Sequence, residues 1–143
     1  MSRRTAGAMS ALAAAVLLPA CSGARAGTTA PPVRNVDLIA HYSHFSESQI
    51  TMKRGTILRF VMHNDDPIDH ELIVGDQALQ DRHELGTEAK HPARPGEMSV
   101  PAHSTGATQV SFDQPGTYTF ACHLPGHYAY GMHGTARIGE PSR

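Results

Sequence analysis

Cysteine is scarce in this sequence, with two in 143 residues, and Cys21 sits among signal-like residues near the N-terminus. Cys122 is therefore the lone thiol of the region expected to fold, and a disulfide within that region is excluded. Tryptophan is absent and neither sign of charge dominates: 12 lysines and arginines face 13 aspartates and glutamates, for a formal net charge of −1. That balance carries neither the basic footprint of a nucleic-acid binder nor a strongly acidic surface, and no nucleic-acid partner is expected. The apolar run Met9–Leu18 falls well short of the roughly 20 residues that a membrane-spanning helix requires. Internal repeats and long amphipathic helical patterns are missing as well. Histidine, by contrast, is abundant, at ten residues.

The first residues have the form of an export signal. Arg3 and Arg4 make a basic start, Met9–Leu18 an apolar centre, and Leu18, Pro19, Ala20 and Cys21 a close of mostly small residues. The pattern resembles a bacterial lipoprotein signal, which implies cleavage before Cys21 and a lipid on that cysteine, tethering the protein to the outward-facing side of a membrane. Ordinary secretion with cleavage nearby is the alternative, and the residues after the paired arginines are a poor match to twin-arginine export. The expected organisation is a signal peptide over 1–20, a flexible tether over 21–32, one folded domain over 33–139 and a short tail over 140–143. A monomer is expected.

Within the domain the pattern is one of short strands broken by glycine and proline. Val36, Leu38 and Ala40 alternate with polar residues; Thr56 to His63 and Leu72 to Val74 are β-branched and apolar. Gln109 to Phe112 and Thr117 to Cys122 are divided by the turn cluster Asp113, Gln114, Pro115, Gly116, and Gly134 to Ile138 closes the series. Six or more strands at this spacing predict an all-β, antiparallel Greek-key β-sandwich. Asp76 to Glu97 lacks alternation and reads as a long connection with at most a short helical turn.

The chemistry concentrates in Tyr118 to Gly134, YTFACHLPGHYAYGMHG. Cys122, His127 and Met132 fall at steps of five, setting a thiolate, an imidazole and a thioether around one short loop. Strand alternation puts Tyr118, Phe120 and Cys122 on one face, and Leu124, Pro125 and Gly126 turn the chain so that His127 swings back toward the sulfur. Soft thiolate and thioether donors select copper over magnesium or calcium. Zinc is the main competitor, yet a structural zinc site gains little from methionine. The best fourth donor is His70, which follows the turn Asn64–Pro67 and precedes the apolar run Leu72–Val74.

With these residues in place the chain resembles the cupredoxins, the small blue-copper proteins that include plastocyanin, azurin, auracyanin and rusticyanin. The resemblance spans nearly all of Val33 to Gly139, and the four residues on each side of His127 are similar to auracyanin and rusticyanin spacing. It implies one type 1 copper ion held by His70, Cys122, His127 and a weak axial Met132. It also implies single-electron transfer between redox partner proteins, with docking near His127, Pro125, Tyr128 and Tyr130. Glu71 stands where well-known members have asparagine or serine; the backbone donor to the cysteine sulfur survives, and the side-chain tie between the two ligand loops is left open.

An extracytoplasmic copper carrier or scavenger that delivers copper to a cuproenzyme is the second reading, weakened because Met52, Met62 and Met98 form no cluster. An enzyme is not expected: multicopper oxidases, nitrite reductases and superoxide dismutases add sites often built on histidines two apart, and no such pair occurs. His83 and His91, with Glu84 and Glu88, form either a surface polar loop or a second metal site. His123 and His133 should point away from the ligands beside them. His41, His44, His63 and His103 have no evident partner in sequence.

Overall fold

The computed structural model describes residues 29–86 and 93–140. The expected signal peptide, tether residues 21–28, Glu88, His91 and tail residues 141–143 lie outside the described residues. Among those described, no helix is long and apolar enough to cross a membrane.

Alternation places the strands. In β1 (Val33–His41) it buries Val36, Leu38 and Ala40, and in β4 (Ile57–Asn64) it buries Leu58, Phe60, Met62 and Asn64. Short β2 (His44–Phe45) and β7 (Thr105–Ser111) complete a four-stranded sheet in the order β2-β1-β4-β7. The second sheet contains β3 (Gln49–Lys53), β5 (His70–Gly75), β6 (Glu97–Val100), β8 (Gly116–Ala121) and β9 (His133–Gly139). Its order is β3-β9-β8-β5-β6. Between them lies one apolar core, including Leu38, Phe60, Met62, Leu72, Phe120 and Ile138.

The sandwich is the expected one, but its sheets are mixed: β1 runs parallel to β4 and β3 parallel to β9, while the remaining pairs are antiparallel. The chain leaves the first sheet after β2 to form β3 in the second, then returns, so β4 lies beside β1 in the same sense. Alternation reports which face is buried and is silent about this crossing.

The connection after Asp76 contains more structure than expected. Helix α1 spans Gln77–Leu85, and the Asp76 side chain caps it by accepting from Leu79 N at 2.9 Å. No apolar stripe announces this helix because its buried residue is polar, Gln80. Gln80 Nε2 donates to the carbonyls of Ile73 at 3.3 Å and Thr119 at 3.0 Å, so the amide is buried with its partners. With α1 over one face and the core over the other, all six residues of β5 are buried.

Close packing makes one glycine testable. A Cβ on Gly134 would fall on the Phe120 ring, with Cε2 and Cε1 at 2.7 and 2.8 Å. Phe120 is fully buried and packs against Phe60 with ring centroids 6.1 Å apart, so it has no room to retreat. Gly134→Ala is expected to destabilise the fold by about 1–3 kcal/mol in chemical denaturation, as overpacking does.

Candidate metal centre

Strand register brings the site together. β5 and β8 pair antiparallel with Ile73 opposite Ala121, Val74 opposite Phe120 and Gly75 opposite Thr119. Continued to the strand ends, this register sets His70 and Glu71 beside the start of the ligand loop. His70 is the first residue of β5 and fully buried; Cys122 follows the last residue of β8 and is also fully buried. The loop then closes on itself. Cys122 N donates to Met132 O at 3.1 Å, Met132 N to His127 O at 3.0 Å, and His127 N to Leu124 O at 2.9 Å. Gly126 and Gly131, at φ 85° and 97°, make turns that other residues resist.

Three donors converge. Cys122 Sγ lies 3.3 Å from His127 Nδ1 and 3.9 Å from His70 Nδ1, and the two Nδ1 atoms are 3.2 Å apart. Among the described residues these three form the one group of histidine, cysteine or carboxylate side chains compact enough to hold a metal ion. Met132, fully buried, belongs to the same core cluster as Cys122. A thiol, two imidazoles and a thioether make a donor set that fits copper. The four residues are positioned for a single copper site.

Burial sets the protonation of the metal-free donors, keeping Cys122 as the neutral thiol, which has to release its proton to bind a metal. Burial pushes the Cys122 thiol up to about 11, partly opposed by backbone hydrogen bonds from Glu71 and Leu124 and reinforced by the Glu71 charge. His127 is held below the usual imidazole range by burial and by repulsion from His70. Neutral imidazole is the form in which histidine ligates a metal.

The tie left open by Glu71 is present. Its backbone N–H donates to Cys122 Sγ at 3.4 Å, and its carboxylate Oε1 accepts from His123 N at 2.8 Å. One residue of β5 thus holds the sulfur and the residue after it. His123 turns away from the ligands, as alternation predicted, and its side chain is buried under α1. Its ring nitrogens lie 2.7 Å from Glu84 Oε2 and 2.7 Å from Gln80 Oε1. Tyr128 stacks on the same ring at 4.9 Å and meets His133 at 4.8 Å.

His83 lies 3.2 Å from Glu97 Oε2, and Glu84 is engaged by His123. With His91 and Glu88 outside the described residues, the second-metal reading has no assembled ligand set among the residues described.

Asp66 is the residue that sequence reasoning missed. Its carboxylate lies 2.8 Å from His70 Nε2 and accepts from Tyr42 N and Ser43 N at 2.7 and 2.8 Å. Although burial works to raise its pKa, the hydrogen bonds from Ser43, His70 and Tyr42 hold the carboxyl below the usual carboxylate range. The sequence signal was slight: three aspartates share the turn before His70, and a turn has no periodicity to choose among them.

This sandwich with its cysteine and histidine cluster defines a copper-binding protein of the cupredoxin type. Residues 36–139 match the model of the copper binding proteins, plastocyanin/azurin family, and the chain belongs to that family. Among characterised relatives is the copper-resistant cuproprotein CopI of Rubrivivax gelatinosus, 33% identical over 114 residues, covering 77% of this chain and 69% of that protein. The fold is similar to reduced auracyanin of Roseiflexus castenholzii, with a TM-score of 0.62 at 18% identity over 73% of this chain and 96% of the other. It is also similar to auracyanin B, with a TM-score of 0.60 at 21% identity over 76% and 90%.

Two outcomes follow for the metal-free protein. At neutral pH Cys122 should react with iodoacetamide roughly two orders of magnitude more slowly than an ordinary exposed thiol, because so little is thiolate, with burial slowing it further. The rate should climb as pH rises toward about 11. A raised thiol pKa stabilises the fold fully below the reference 9.0 and loses that contribution as pH rises through the folded value. In thermal unfolding, Glu71→Ala, which strips the acceptor from His123 N, should cost about 1–3 kcal/mol. Glu71→Gln, which keeps an acceptor, should cost less.

Proposed function

We propose that this protein is an exported blue-copper carrier in which His70, Cys122 and His127 would hold one copper ion, Met132 would add a weaker sulfur donor, and single electrons pass between redox partners. The observation that carries this reading is the convergence of one buried thiol with two imidazole Nδ1 atoms, Sγ to nitrogen 3.3 and 3.9 Å. Copper supplies the one-electron cycle when bound, alternating between its cupric and cuprous states.

The chain's own residues do the rest. The Glu71 amide steadies the sulfur, and the loop's internal backbone bonds keep His127 and Met132 in place. Donors held this firmly leave little to rearrange when the charge of the centre changes. Burial of Cys122, His70 and Met132 keeps water from the sulfur. His127 is only half-buried, with exposed Pro125 and Tyr130 on the same loop, and this rim is the docking face of the proposal. Short-lived redox encounters need only a small interface. No enzymatic turnover is assigned.

Similarity to a copper-resistant cuproprotein favours a second reading, an extracytoplasmic copper carrier or scavenger that hands the ion to a cuproenzyme. Both readings use an exported protein, and the lipoprotein-like residues through Cys21 support a lipid tether on the outward-facing side of a membrane.

Titration of the metal-free protein with cupric ion should saturate at one equivalent and develop an intense visible thiolate charge-transfer band that Cys122→Ser abolishes. A colourless complex, or colour that persists in the variant, would sink the copper assignment. A reversible one-electron wave with rapid exchange supports the electron carrier; slow exchange with transfer of copper to an acceptor protein supports delivery.

A further inference from the structure

His70 is held by more than its place at the start of β5. Asp66 is almost fully buried, 4% exposed, and its carboxylate is met by three donors. Oδ1 accepts from Tyr42 N at 2.7 Å; Oδ2 accepts from Ser43 N at 2.8 Å and lies 2.8 Å from His70 Nε2. Its backbone is equally fixed, with N donating to Asn64 Oδ1 at 3.0 Å and O accepting from His103 N at 3.2 Å. Asn64 in turn donates to the carbonyls of Ile68, Val100 and Pro101. The carboxylate therefore stands on a rigid support. With two backbone N–H groups already directed at its oxygens, the carboxylate is placed as an acceptor, so the imidazole nitrogen facing it carries the proton. A neutral ring has one N–H, which leaves Nδ1 with a lone pair aimed at Cys122 and His127.

The same carboxylate holds the hairpin turn between β1 and β2. Tyr42 and Ser43 adopt left-handed conformations, φ 51° and 54°, which neither residue prefers and which Asn-Gly pairs adopt readily. Ligand ring and strained turn share one anchor.

We propose that Asp66 is a positioning residue of the copper centre, fixing the His70 ring in the tautomer that presents Nδ1 to the metal and coupling that ring to the Tyr42–Ser43 turn. The proposal rests on the copper reading above. Asparagine is one informative replacement, because its amide nitrogen must face either Tyr42 N or the pair Ser43 N and His70 Nε2. The first orientation loosens the turn; the second asks Nε2 to accept and moves the ring proton to Nδ1, where it blocks the metal.

The test uses Asp66→Asn and Asp66→Ala, each alone and in a Tyr42→Asn/Ser43→Gly background, whose turn holds without the carboxylate. Nitrogen-15 NMR of the metal-free protein reads the His70 tautomer, and titration with cupric ion reads affinity and the charge-transfer band. In both backgrounds Asp66→Ala, which takes the acceptor from Nε2, should introduce the Nδ1–H tautomer and lower cupric affinity by about 10–100-fold, the usual loss when a partner behind a ligand is removed, and Asp66→Asn, whose amide can still turn its oxygen to Nε2, should do so less. A pure Nε2–H tautomer in Asp66→Ala with affinity within twofold of the parent, once the turn is repaired, would overturn the proposal and leave Asp66 a turn-holding residue. If the parent bound no copper, the copper reading would fall, while the tautomer measured without metal would still decide what Asp66 does to His70.

Discussion

The pairing of β5 with β8 is the constraint on which the centre depends. His70 and Cys122 are 52 positions apart in sequence. They meet because Ile73 faces Ala121 and the ladder carries its register to the strand ends. A slip of one residue would move Glu71 from the ligand loop and exchange the two faces of β5, turning Leu72 and Val74 out of the core. The core that fixes register and the site that uses it are therefore specified by the same alternation.

Polar side chains around the centre, all but Glu84 buried, tie it to the surrounding segments. Gln80, Glu84 and His123 join α1 to the residue after Cys122, Glu71 joins β5 to the ligand loop, and Asp66 joins the β1–β2 turn to His70. Satisfied buried hydrogen bonds rigidify, and each of these links a different chain segment to the site. These links hold the donors of the copper site in place from several sides at once.

Most strands and the donor set were legible because each follows from a local rule. Val36, Leu38 and Ala40 alternate; Cys122, His127 and Met132 sit at equal steps with turn residues between. What escaped was less local. Helix α1 buries an amide instead of an apolar stripe, so no periodicity marks it. The parallel partners of β1 and β3 depend on which sheet the chain enters next. Asp66 is indistinguishable in sequence from Asp65 and Asp69, and only the three-dimensional turn selects it. Glu71, read as a departure that left a tie open, makes that tie with its own carboxylate.

The bond from Cys122 N to Met132 O has a further consequence. It staples the two ends of the ligand loop directly above Ala121 and His133, so the residues between are a closed ring resting on the sandwich. Insertions or deletions within that ring would be absorbed above the staple without reaching the β8–β9 ladder. The metal cradle can in this way be resized as a separate part while the sandwich of strands below keeps its sequence pattern.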